Sequence, residues 1–145
     1  MSAPTPIRVL VADAHIVALR GLVNLIHDEA DMQVVGEAHN GAEAVALFCQ
    51  LQPDVMLMDL RMPELRGSDA IAAIRQATPT ARIVILTTYD SDDDIYTSLR
   101  AGAMAYLLKD SPRQELMLAI RSVLAGKRYL PLHIAGSCGF CGVDA

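Results

Sequence analysis

The 145-residue sequence predicts an α/β domain of the (βα)5 type, a doubly wound five-stranded parallel sheet. Three observations carry that prediction. Five short apolar runs, Ile7–Ala12, Met32–Ala38, Val55–Met58, 82–86 and 104–108, have the length and mostly the Val, Ile and Leu content of strands buried on both faces. Their starts, at residues 7, 32, 55, 82 and 104, leave room for one crossover helix each time. The stretches between them carry helix-capping residues, and right-handed crossovers join such a series into a single sheet with helices on both sides.

Taken in order, the first run ends at Asp13, which can cap a helical stretch beginning near His15. After the second run, Asn40 stands at an N-cap position with Glu43 three residues on, the pattern of a capping box. The third run ends at Asp59, Pro63 forms the turn after it, and the helical stretch 67–77 is closed by Pro79. Ser91 is placed to cap 92–101, whose opening Asp92, Asp93 and Asp94 suit the positive end of a helix. Ser111 before Pro112 reads as N-cap and first helical residue, with Gln114 completing a box. Leu116, Ile120, Val123 and Leu124 then recur at helical spacing until Gly126. Beyond Leu132 the sequence is Gly-rich and aperiodic, and residues 131–145 are expected to form a tail or truncated linker.

Composition narrows the function classes. A chain that is 52% hydrophobic and 20% charged can bury a core and is not disordered. Twelve Lys+Arg against 17 Asp+Glu give a net charge of −5, which argues against a whole surface that binds nucleic acid by counterion release. Three scattered cysteines make no disulfide framework and fit a reducing cytoplasm. The start lacks a basic region followed by an apolar run, and no apolar stretch is long enough to span a membrane.

In open α/β sheets ligands bind beyond the carboxyl ends of the strands, near the switch point. The residues that follow the runs are Asp13, Asp59, the pair Thr87 and Thr88, and the pair Lys109 and Asp110. Two carboxylates, a hydroxyl and an ammonium on one edge would attract a hard cation such as Mg2+ and neutralise a phosphoryl group. A carboxylate there can itself accept the phosphoryl group. A strand's period of two lets only one of Thr87 and Thr88 face that edge. His15 and His39 read as structural, and the acids of 90–94 as a solvated helix start, since they lack the Gly and closing Glu of a calcium loop. Cys138, Cys141 and His133 are one ligand short of a closed zinc site.

The segments RVLVADAHIVALRGL, DVMLMDLRMPELRG, RIVILTTYDSDDD and LRAGAMAYLLKDSPRQEL, in that order, carry a resemblance. Over residues 7–130 the chain resembles the receiver domain of two-component response regulators, most of all the NarL/FixJ subgroup that precedes LuxR-type DNA-binding domains. The resemblance implies a CheY-like, flavodoxin-like fold. It implies that Asp59 is the phosphoacceptor and that Asp13, Asp59 and the backbone carbonyl of Arg61 hold Mg2+. Thr87 then matches the switch hydroxyl, Tyr106 the aromatic switch, and Lys109 the lysine that pairs with the phosphoryl oxygens. The implied partners are a sensor histidine kinase and a second copy of the chain, through the first or fifth helix. DNA would be met only through a LuxR-type domain, for which the residues after 132 are too few. Such a protein is cytoplasmic, controls a transcriptional output, and assists its own phosphorylation rather than turning over a substrate.

The chain departs from the family at Ala14, where a second acid normally contacts the cation. The resemblance then implies weaker Mg2+ binding. It also leaves open a second reading, a receiver-shaped interaction or dimerisation module that works without phosphorylation.

Overall fold

The computed structural model describes residues 5–62, 65, 67–87 and 92–130. Its strands are β1 (Ile7–Ala12), β2 (Met32–Ala38), β3 (Val55–Met58), β4 (Ile83–Thr87) and β5 (Ala105–Leu108). The helices are α1 (Ile16–His27), α2 (Gly41–Leu51), α3 (Gly67–Ala77), α4 (Asp92–Ala101) and α5 (Arg113–Leu124). The strands pair in parallel, in the order β2-β1-β3-β4-β5. The (βα)5 doubly wound sheet expected from the apolar runs is therefore present. Pro63, Thr88, Ser91 and the 131–145 tail with His133, Cys138 and Cys141, all given expectations above, lie outside the described residues.

Two cores follow from the period of two along each strand. Leu10, Ala12, Met56, Met58, Ile83, Ile85 and Tyr106 face one side and are buried with Phe48 of α2, Ile71 and Ile74 of α3 and Leu99 of α4. Val9, Val11, Val55, Leu57, Val84, Leu86 and Leu107 face the other side, against Leu19, Val23 and Ile26 of α1 and Leu116, Ile120 and Val123 of α5. Strands filled on both faces cannot alternate with polar residues, which is why the runs are continuously apolar. The exceptions are the edge strand β2, with Gln33 exposed and Glu37 half-buried, and the start of β1, where Arg8 is half-buried.

The strand order reverses between β1 and β3, where two crossovers leave in opposite directions. Ligands of open α/β sheets bind at such a switch point, here beyond the carboxyl ends of β1 and β3, which Asp13 and Asp59 follow.

Local signals held with small displacements. Glu43 N donates to Asn40 Oδ1 at 2.7 Å, as a capping box requires. The return bond goes one residue further back, from His39 N to Glu43 Oε1 at 3.0 Å. The His39 ring nitrogen 2.9 Å from the same oxygen helps to hold the Glu43 carboxyl below its usual range. β4 runs one residue later than its apolar run, because Thr87 still pairs with Leu108 while Arg82 precedes the ladder. The N-cap of α5 is Pro112, not Ser111. Its ψ of 151° keeps it outside the helix, while its carbonyl accepts from Glu115 N and Leu116 N.

Gly126 closes α5 with φ +84°. Lys127 N donates to Ser122 O and Gly126 N to Val123 O, the paired bonds of a Schellman motif. A β-carbon at Gly126 would meet nothing within 4 Å, so only the left-handed backbone requires glycine there. Gly126→Ala is expected to cost about 1–2 kcal/mol, read from the denaturant midpoint at unchanged slope.

Candidate functional site

Asp13 follows β1 and Asp59 follows β3, and both are buried, at 1% and 3% exposure. Neighbouring parallel strands in register place them side by side, with Asp59 N donating to Ala12 O at 3.0 Å. Lys109 follows β5, two strands away from Asp59 across β4. Its backbone N donates to Thr87 O at 2.7 Å, which extends the ladder by one residue and sets the lysine at the same edge. The side chain then crosses the end of β4. Lys109 Nζ donates to Asp59 Oδ2 at 3.0 Å and stands 2.6 Å from Asp13 Oδ2.

The electrostatics of this group are unequal. Among the described residues, two buried carboxylates share the Lys109 ammonium. Burial, the largest single influence on Lys109, favours its neutral form. The hydrogen bond to Asp59 and the close ion pair with Asp13 outweigh it, and the ammonium is held above its ordinary value. Lys109 is therefore charged at every physiological pH.

The turns around the strand ends orient the carboxylates. Asp13 Oδ1 accepts from His15 N at 2.8 Å, an Asx-type turn that leads into α1, and the N-cap itself is His15 rather than Asp13. Asp59 Oδ1 accepts from Arg61 N at 3.2 Å. Gly67, at the start of α3, donates to Leu60 O at 3.2 Å, and a β-carbon there would lie 2.6 Å from Leu60 Cα. The backbone directly after Asp59 is thus pressed against a helix that only glycine lets approach so closely.

Thr87 is buried, at 1% exposure, at the end of β4 between the strands that bear Asp59 and Lys109. Tyr106 lies three residues upstream of Lys109, fully buried in the core on the α2–α4 side. The edge therefore brings together Asp13, Asp59, Lys109 and Thr87, while Tyr106 belongs to the packing beneath it. Ala14 is half-buried and its methyl packs against the same core cluster.

One residue was undervalued in sequence. His15 Nδ1 lies 3.3 Å from Asp13 Oδ1 and 3.9 Å from Asp59 Oδ2, so the imidazole stands over the carboxylates. Its position two residues after a strand-end aspartate was the available signal. A histidine at a helix start is also an ordinary surface residue, and so the signal was weak.

The donors suit a divalent cation. Atoms of Asp13, His15 and Asp59 lie within 4.8 Å of one another. Asp13 Oδ2 is wholly buried, and among the described residues no donor is aligned for a hydrogen bond to it, although Lys109 forms its ion pair. Two buried carboxylates with Lys109 on their Oδ2 atoms leave Asp13 Oδ1, beside His15, as the oxygen best placed for a cation.

Residues 9–121 match the family model described as the response regulator receiver domain. The chain is 43% identical over 121 residues to YxjL of Bacillus subtilis, described as an uncharacterized transcriptional regulatory protein, covering 83% of this chain and 56% of that protein. It is 39% identical over 130 residues to the transcriptional regulatory protein LiaR of the same organism, covering 90% and 62%. The chain therefore spans little more than half the length of these relatives. Among solved structures it is similar to the signal receiver domain of NarL from Mycobacterium tuberculosis, with a TM-score of 0.81 and 36% identity over 85% of this chain and 99% of that one. It is also similar to a LuxR-family two-component response regulator from Aurantimonas sp. SI85-9A1, with a TM-score of 0.87 and 33% identity over 96% and 99%.

Proposed function

The chain belongs to the response regulator receiver domain family, and on that premise we propose that residues 7–130 form a phosphorylation-operated switch that takes its phosphoryl group on Asp59 from a sensor histidine kinase. The observation that carries this reading is the Lys109 ammonium held by hydrogen bond on Asp59 Oδ2 at 3.0 Å, with the buried Asp13 on its other side.

In the transfer, a carboxylate oxygen of Asp59 attacks the phosphorus of the phosphohistidine. A P–O bond forms, the P–N bond breaks, and the leaving imidazole nitrogen keeps the electron pair and is protonated by solvent. Lys109 orients the acceptor carboxylate beforehand and follows the charge onto the phosphoryl oxygens afterwards. Thr87, at the same edge, supplies the hydroxyl that turns toward the phosphoryl group. Tyr106 repacks in the core beneath as that hydroxyl moves, and the rearrangement biases the surface of α4, β5 and α5. Mg2+, held by Asp13, Asp59 and the backbone carbonyl of Arg61, would neutralise charge on the transferring group.

The output of the switch is transcriptional. YxjL and LiaR are described as transcriptional regulatory proteins, and this chain covers just over half of each. DNA would then be reached through a LuxR-type domain. A second copy of the chain fits the α1 or α5 surface, where Ile16, Val17 and Leu118 are exposed. Among the described residues no helix is long and apolar enough to cross a membrane, and the switch is proposed to work in the cytoplasm.

The test is intact-mass measurement after incubation with a small phosphodonor, with and without Mg2+. One added phosphoryl group that depends on Mg2+ is expected, and its absence under all donors overturns the reading. Ala14 bears on the same measurement. Ala14→Asp restores a carboxylate at the family's cation position, and is expected to tighten Mg2+ by roughly tenfold to a hundredfold in a calorimetric titration. It should also lower stability in the absence of metal, because three acids then crowd one pocket.

A further inference from the structure

We propose that His15 serves as a nitrogen ligand to the cation of this pocket, in place of the carboxylate missing at Ala14, and that the pocket consequently favours later first-row divalent ions such as Co2+ and Ni2+ over Mg2+. The inference rests on the reading of the crevice as a cation-using phosphoacceptor site.

The geometry points to it directly. His15 Nδ1 is 3.3 Å from Asp13 Oδ1 and 3.9 Å from Asp59 Oδ2, and the three donors lie within 4.8 Å of one another. Atoms bound to one ion at about 2.0–2.2 Å stand roughly 3.0 Å apart when adjacent in an octahedron and roughly 3.4 Å apart in a tetrahedron. The His15–Asp13 separation already matches such an edge, and the 3.9 Å to Asp59 Oδ2 closes to it with a turn of the imidazole. The imidazole is free to make the adjustment, since its side chain is 67% exposed and is not packed in either core.

The other residues leave a position for it. Ala14, half-buried beside the core cluster, offers no donor. Lys109 lies on the Oδ2 atoms of both aspartates, 2.6 Å and 3.0 Å away, which leaves Asp13 Oδ1 on the His15 side. That oxygen already accepts the His15 backbone N–H at 2.8 Å, so the turn itself fixes the histidine beside the carboxylate.

The choice of ion follows from the chemistry of the donors. Mg2+ prefers hard oxygen ligands and gains little from a neutral imidazole. Affinity for nitrogen-containing sites rises along the first-row series toward Co2+ and Ni2+. Exchanging an anionic oxygen for an imidazole therefore weakens one class of ion and strengthens the other. A simpler role for His15, as a helix N-cap residue hydrogen-bonded to Asp13, makes no such distinction between cations.

The experiment titrates the full chain with Mg2+ and with Co2+ by calorimetry, and records the proton NMR spectrum of the Co2+ form. Wild type should bind Co2+ at least about tenfold more tightly than Mg2+, with a paramagnetically shifted imidazole N–H resonance. His15→Ala should lose that preference and the resonance, with Mg2+ affinity changed less than about twofold. His15→Asn keeps a good helix cap, so the same loss with an unchanged thermal midpoint separates ligation from unfolding. Asp59→Asn should weaken Co2+ as well, which assigns the ion to this pocket rather than to Cys138, Cys141 and His133. Equal ion preference in wild type and His15→Ala overturns the inference, while Mg2+-dependent phosphorylation of Asp59 is scored separately and can stand without it.

Discussion

Asp59→Asn will reduce donor-dependent phosphate incorporation to background. Asp59 is the strand-end acid at the switch point whose two oxygens are presented by separate groups, Oδ1 by Arg61 N and Oδ2 by Lys109 Nζ. Asparagine has nearly the same shape but exchanges an anionic oxygen for an amide, so it keeps the turn and loses the nucleophile. Asp13 is a poor substitute acceptor. It is fully buried, and its oxygens are engaged by His15 N at 2.8 Å and by Lys109 at 2.6 Å. Intact mass and peptide mapping check the result, and a modified peptide containing Asp13 or Asp110 would overturn the assignment. The variant should remain folded, because it relieves one of two crowded negative charges.

Lys109→Met will lower both phosphorylation and stability. Methionine fills a similar volume while removing the ammonium that pairs with two buried carboxylates. Breaking a buried ion pair from one side is worth about 3 kcal/mol at the low end of its range, and the low end applies because the lysine keeps 15% side-chain exposure. The sign of the pH dependence follows from Lys109 itself. Its native value is raised above the ordinary 10.5, so its contribution is complete below that value and is lost as pH rises through the native one. The difference between wild type and Lys109→Met should therefore be constant from neutral pH to about 10.5 and shrink above it. Urea unfolding of both proteins across that range measures the gap, and a gap that widens above pH 10.5 would rule out the pairing as its source.

How far the sequence could be read depended on how local each signal was. Asn40 and Glu43 lie within one helical turn, and the bond between them formed as their spacing required. Glu43 nevertheless reached His39 instead of the Asn40 backbone, because both groups on His39 were within its range. At α5 the same kind of signal was misread by one residue. Ser111 has the better capping side chain, but the fixed ring of Pro112 and its extended ψ set the boundary. Thr87 extended β4 past its apolar run because Leu108 and the Lys109 backbone were there to pair with it. His15 was the largest underestimate. Its neighbours in sequence say nothing of Asp59, which reaches it only through the pairing of β1 with β3.

The number, type and order of the elements, and the chemically active residues at the strand ends, were legible in the chain's local patterns. Those features rest on periodicities of 2 and 3.6 and on caps only a few residues long. Which strand ends meet follows from the assembled sheet alone. Asp59 and Lys109 are 50 residues apart, and their 3.0 Å bond exists because β4 alone separates β3 from β5 and the lysine stem is long enough to cross it. Strand adjacency is settled by the direction of the crossovers and by how two apolar layers close on opposite faces of the sheet, a property of the whole chain that no local pattern encodes.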